Sequence, residues 1–206
     1  MNAEDATVLE RGSCQLEAWT QRLPDHREYW AAPSCGVAQD WELGAAYVRT
    51  RAPHADGSSH LGGVYAKALW RPLTTNDWGI GLVLAHLPVA AGSMAGDTTL
   101  NVPLSVSLRD DAVLVHANLG WTRHYAIQQG GATWGLGAEF AVHPRAALTL
   151  ETFGSGRGHG FVQAGARYSV IPNRLDVDAA YGQRLRGGDR QQFVSLGLTW
   201  VALLAK

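Results

Sequence analysis

Residues 98–121 read TTLNVPLSVSLRDDAVLVHANLGW. Apolar side chains fall at Leu100, Val102, Leu104, Val106 and Leu108, then at Val113, Val115, Ala117, Leu119 and Trp121. The positions between them carry Asn101, Ser105, Ser107, His116 and Asn118. A period of two with a single oily side describes an amphipathic antiparallel hairpin. A two-residue turn at Asp110-Asp111 sets Leu108 against Val113, Val106 against Val115 and Leu100 against Trp121. Every apolar pair then shares one face, which supports that register. Whether the oily face looks into a core or out into lipid decides the fold.

The same rhythm extends along the chain. The expected strands are 12–21, 28–38, 41–51, 60–71, 78–88, 98–108, 112–123, 133–143, 147–153, 161–170, 175–184 and 191–203. Nowhere do apolar residues recur at helical spacing for long. From the second strand onward the connections alternate in length. AQD, PLTTND, RDD, HPR and IPNR are short, whereas APHADGSSH, VAAGSMAGD, HYAIQQGGA, SGRGHG and RLRGGDR are longer. An even number of strands puts all short turns at one end of a closed up-and-down barrel, as in outer-membrane barrels. Pro33 and Pro103 fall within strand runs, cost ladder hydrogen bonds and predict bulges or local edges.

Composition fits this reading. Charged residues make up 17% of the 206, below the roughly 25% of an average soluble domain, and the net charge is -1. The absence of a basic excess argues against a nucleic-acid partner. No run approaches the ~20 apolar residues of a spanning helix, which leaves membrane barrels open. The face opposite the apolar stripe is mostly Gly, Ala, Ser and Asn with scattered charges, suited to a crowded barrel interior. Two aromatic belts are predicted, with Trp41, Trp70, Trp78, Tyr168 and Trp200 toward the short turns. Trp19, Tyr29, Trp30, Trp121 and Trp134 are assigned to the other belt.

The N-terminus shows no basic segment followed by an apolar core, so the chain is read as a mature protein of the bacterial outer membrane. Residues 1–11 are expected to form a periplasmic tail and residues 12–206 the barrel. Cys14 and Cys35 bracket LPDHR almost symmetrically. A hairpin there brings them opposite or nearly so, and a disulfide suits an oxidising compartment. Two separate buried thiols are the alternative. No zinc-type spacing of Cys and His is present.

The chain resembles bacterial outer-membrane β-barrels over nearly its whole length. GSCQLEAW (Gly12, Leu16, Glu17, Trp19) is also similar to the first strand of outer-membrane transporters linked to meta-pathway phenol degradation. That resemblance implies passage of small molecules, often aromatic or apolar. The expected fold is therefore an all-β transmembrane antiparallel barrel of about twelve strands, with short periplasmic turns and longer extracellular loops. Its expected partners are outer-membrane lipid and a small-molecule solute. The expected function is a channel or passive transporter with a narrow polar lumen. A closed structural or assembly barrel is the alternative, and a barrel hydrolase is a third reading.

The inner face carries the candidate lumen residues Lys67, Ser105, His116, Asn118, Glu139, Glu151, Arg167 and Asp178. Ser105 falls opposite His116 with Asn118 two residues on, a serine-hydrolase set of residue types that outer-membrane phospholipases use. A lumen trio does not meet the bilayer, so a hydrogen-bond network is the preferred reading and no enzyme is expected. A turn at Pro144–Ala146 predicts Val142 against Leu148 and Glu139 against Glu151, a close acid pair that also suggests glycosidase chemistry. IPNR places Arg167 opposite Asp178 and Ser169 opposite Asp176. Arg167 or Lys67 is expected to balance the acids. With Glu17, Glu42 and Asp176 the lumen is slightly acidic and favours cations. His54, His60, His124 and His159 near the long loops lack tight ligand spacing, and no metal or cofactor is expected. SGRGHG lacks the lysine and following helix of a phosphate-binding loop.

Overall fold

The computed structural model describes residues 3–52, 58–88, 96–125, 127–156, 159–185 and 191–203. Twelve strands close into one antiparallel barrel, each paired with its neighbours in sequence and β1 paired with β12. They are β1 (Ser13–Arg22), β2 (Arg27–Ala38), β3 (Trp41–Arg51), β4 (Ser58–Arg71), β5 (Trp78–Pro88) and β6 (Gly96–Leu108). The remainder are β7 (Val113–His124), β8 (Gln129–His143), β9 (Ala146–Ser155), β10 (His159–Ile171), β11 (Leu175–Arg184) and β12 (Gln192–Leu203). Closure leaves no edge strand with unpaired backbone groups, the condition for crossing hydrocarbon.

The β6–β7 hairpin has the expected register, with Leu108 against Val113, Ser105 against His116 and Leu100 against Trp121. Its apolar stripe faces out. Leu100, Leu104 and Leu108 are exposed, and mid-strand Leu119 is 72% exposed. Ser105, Ser107, His116 and Asn118 are buried. The pattern holds for the whole barrel: the largest fully buried side chains are Glu151, Pro103, Ser34, Ser105 and Ser107. A polar inside and an apolar outside invert a soluble domain, and they match a barrel solvated by lipid.

Trp41, Trp70, Trp78, Tyr168 and Trp200 are exposed at the short-turn end, and Tyr29, Trp121 and Trp134 at the other. Trp19 and Trp30 are not part of that second belt. Trp19 shares its face of β1 with lumen-lining Glu17, and the Trp30 indole N–H donates to Glu28 at 2.9 Å. The two indoles stack at 5.2 Å, a pairing their directly opposed Cα positions impose. Strand alternation thus outranks their interfacial preference.

The short turns use residues that tolerate left-handed backbone, including Asp40, Asn76, Asp110, Asp111 and Asn173. The turns after β4 and β6 are tied together. Asn76 Nδ2 donates to Asp110 at 2.6 Å, and the Thr75 hydroxyl to Asp111 at 2.6 Å. Donation from Ser107 and Thr75 holds the Asp111 carboxyl below the usual carboxylate range.

Two expectations change. Pro33 and Pro103 cause no register shift: the ladders on either side of each keep one register, although each proline lacks an N–H to donate. Irregularities instead sit beside short turns, between Gly36/Ala38, Leu69/Arg71, Ala141/His143 and Ser169/Ile171. Finally, β8 begins at Gln129, because Gly130, Gly131 and Ala132 pair with Arg123, Thr122 and Trp121. The glycines that look like a loop in HYAIQQGGA are barrel wall. His54 and parts of the other long connections lie outside the described residues, as does the His159 side chain.

Candidate functional site

Strand alternation puts the polar half of each strand into a shared lumen, and the N-terminal segment occupies part of it. Residues 3–11, expected as a tail, run inside the barrel from the short-turn end as an extended strap. Arg11 bridges Gly36 in parallel, and Gly12 N–H donates to Gly36 O at 3.0 Å. A Cβ on Gly36 would lie 2.3 Å from the carbonyl oxygens of Leu9 and Glu10, so only glycine lets the strap approach β2.

Among the described residues the strap has no ladder partner beyond this anchor, and groups of the barrel wall meet several of its backbone N–H and C=O groups. Leu9 N–H donates to Glu42 at 3.1 Å, Ala6 N–H to Ser105 Oγ at 2.8 Å, and Glu4 N–H to Asn118 Oδ1 at 3.0 Å. Asn118 Nδ2 donates back to Glu4 O at 2.8 Å, and Ala3 N–H reaches Glu151 at 3.3 Å. Small side chains at Ala3 and Ala6 allow this closeness, and both are buried. Lys67 Nζ lies 2.8 Å from Asp5 and 3.2 Å from Glu4, with its side chain only 7% exposed. A buried ammonium needs paired charge, and the strap provides it.

The predicted lumen residues therefore divide. Ser105, His116, Asn118, Glu151 and Lys67 converge on or beside the strap. Ser105 Oγ is 2.7 Å from His116 Nδ1, yet Ser105 is 0% exposed and its oxygen accepts the Ala6 N–H. A substrate has no access to that hydroxyl while the strap is docked.

Glu139 and Glu151 do not oppose one another. The irregularity beside the β8–β9 turn shifts the pairing, so Glu139 faces Thr149 and Glu151 faces Gly137. Each acid has its own partners: Arg167 lies 3.3 Å from Glu139, and Gln163 donates to Glu151. The paired carboxylates of the glycosidase reading are thus not assembled. Arg167 stands opposite Asp178 in register, as Ser169 does opposite Asp176, but its ion pair is with Glu139. Asp178 lines a small niche with Arg167 and Ser195.

Cys14 and Cys35 are direct cross-strand partners and form a disulfide. His60 contacts Tyr47 and Ser58, and His124 contacts Asp97 at 2.9 Å. Among the described residues, no three His, Cys, Asp or Glu side chains gather as a metal site.

Among the described residues, two chambers flank the strap within the lumen. One of about 380 Å³ lies toward the short-turn end and includes Glu17, Glu42, Glu139, Arg167 and Asp176. The other, of about 550 Å³, lies toward the long connections and includes Thr99, Asn101, Thr133, Phe153 and Phe161. Glu4 lines both. Phe161 stacks on Phe153 at 5.7 Å and contacts Phe193 at 6.2 Å. These inward rings were legible from parity, since Phe153 lies two residues from Glu151. The strap had no such signal: acidic Glu4 and Asp5 find Lys67 only in three dimensions.

The model of a family described as uncharacterised conserved protein UCP029691 matches residues 1–202. The chain belongs to this family. No curated protein matches it in sequence. Among solved structures it is similar to the KdgM porin in complex with disordered oligogalacturonate, at TM-score 0.71 and 10% identity, covering 90% of this chain and 98% of that one. The COG4313 outer membrane channel from Pseudomonas putida F1 gives TM-score 0.71 at 9% identity, covering 98% and 100%. Outer membrane phospholipase A from Escherichia coli gives 0.52 at 11%, covering 91% and 92%. The family member described here has the twelve-stranded closed fold of outer-membrane barrels, porins and channels among them.

Proposed function

We propose that this family member is an outer-membrane channel for small molecules, narrowed by its own N-terminal strap. The observation that carries this reading is the pair of chambers meeting at Glu4. Polar wall groups and carboxylates give a solute water-like partners across the bilayer, while the strap limits its size. No chemistry is assigned. Ser105→Ala is expected to leave any background esterase activity of the purified barrel unchanged, and its loss would revive the hydrolase reading.

Planar-bilayer recording tests the channel directly. The intact barrel is expected to show small, steady conductance, and deletion of residues 3–9 to raise it several-fold. Silence of both forms would favour the closed scaffold, a reading that the strap's hydrogen bonds within the lumen also support.

A further inference from the structure

We propose that the lumen passes small organic cations and that the strap supplies the selecting charge at Glu4. This rests on the channel reading above. Among the described residues, the chamber toward the long connections has one charged lining residue, Glu4, and its wall includes the Phe153 and Phe161 rings. Aromatic rings attract a cation through their quadrupole and also accommodate its apolar body.

In the second chamber, six carboxylates face two permanent cations, Lys67 and Arg167. The strap contributes two of the six, Glu4 and Asp5, and together they outweigh the single charge of Lys67 that they contact. Arg167 is engaged by Glu139. The two cations that line this chamber are thus already paired, and its surplus charge is negative; Arg184, opposite Phe161 in register, is the inward cation that this surplus outweighs. Salt screens over about 8 Å at physiological ionic strength, so these charges act across a lumen this narrow. An anionic saccharide, such as the oligogalacturonate in complex with the KdgM porin, would meet net repulsion here. Without the strap's carboxylates Lys67 is uncovered and the surplus is halved.

The test is the reversal potential of the full chain in planar bilayers under a KCl gradient. Cation preference is expected, and Glu4→Gln/Asp5→Asn is expected to lower the cation-to-anion permeability ratio by about threefold. Phenyltrimethylammonium is expected to block the potassium current, with a several-fold higher half-blocking concentration in Phe153→Leu/Phe161→Leu. Insertion of each variant is checked by heat-dependent gel mobility, and the wild-type reversal potential is a test independent of any variant. A wild-type barrel silent in KCl overturns the channel reading and this inference together. Conductance without cation preference overturns the inference alone, as does an unchanged ratio in the inserted Glu4→Gln/Asp5→Asn form. Block unaltered by the phenylalanine changes removes the organic-cation specificity.

Discussion

Leu119→Arg is expected to cost the barrel about 2–4 kcal/mol of stability in lipid bilayers, the usual penalty for a lipid-facing arginine at the midplane. Leu119 lies midway along β7 and points outward, 72% exposed. In a soluble barrel the same change would replace an exposed leucine with a well-hydrated residue and be nearly neutral. Leu108→Arg provides the depth control, because Leu108 is exposed but adjoins the 109–112 turn. There the guanidinium reaches the interface, and the expected cost falls to about 0–1 kcal/mol. Urea titration of folding into vesicles, followed by tryptophan fluorescence, measures both. Equal small effects at the two positions would overturn the membrane assignment.

Cys14→Ser/Cys35→Ser is expected to lower stability by about 2–4 kcal/mol. The bond joins residues 21 apart in sequence and cross-links the first hairpin. Removing it frees conformations in the unfolded chain that the native barrel never samples. The loss should appear as a lower urea midpoint for the double variant and, equally, for the reduced wild type. The anchor of the strap lies on the same hairpin, where Gly12 bonds Gly36 one residue beyond Cys35. The variant should therefore also give noisier single-channel current. Matching midpoints for oxidised and reduced protein would mean that barrel closure alone holds β1 against β2.

Much of the architecture is legible in the amino-acid sequence. The period of two set the register of β6 and β7 and, repeated along the chain, the strand count, and alternating connection lengths set the common end of the short turns. Opposed Cys14 and Cys35 followed from the symmetry around the Leu23–Arg27 turn. These features are local: each depends on a strand, its neighbour and the turn between them. Errors arose where a local cue met a non-local constraint. Trp19 and Trp30 have interfacial chemistry but inward parity. Glycines at 130 and 131 have loop composition but a wall position. Glu139 and Glu151 were misaligned because an irregularity beside their turn leaves no mark in the hydrophobic pattern.

The amino-acid sequence by itself therefore determined the wall: twelve alternating strands, an apolar outside, and a polar inside carrying Ser105, His116, Asn118, Lys67 and the acids. Period-two alternation needs only the pleat of one strand to assign its two faces. What the tertiary structure alone decided is the contents of the lumen. Residues 3–11 have no alternating pattern, and their acceptors Glu42, Ser105, Asn118 and Glu151 come from β3, β6, β7 and β9. Only closure of the barrel brings those strands around one axis, where four separate acceptors and one lysine become a track for a strap.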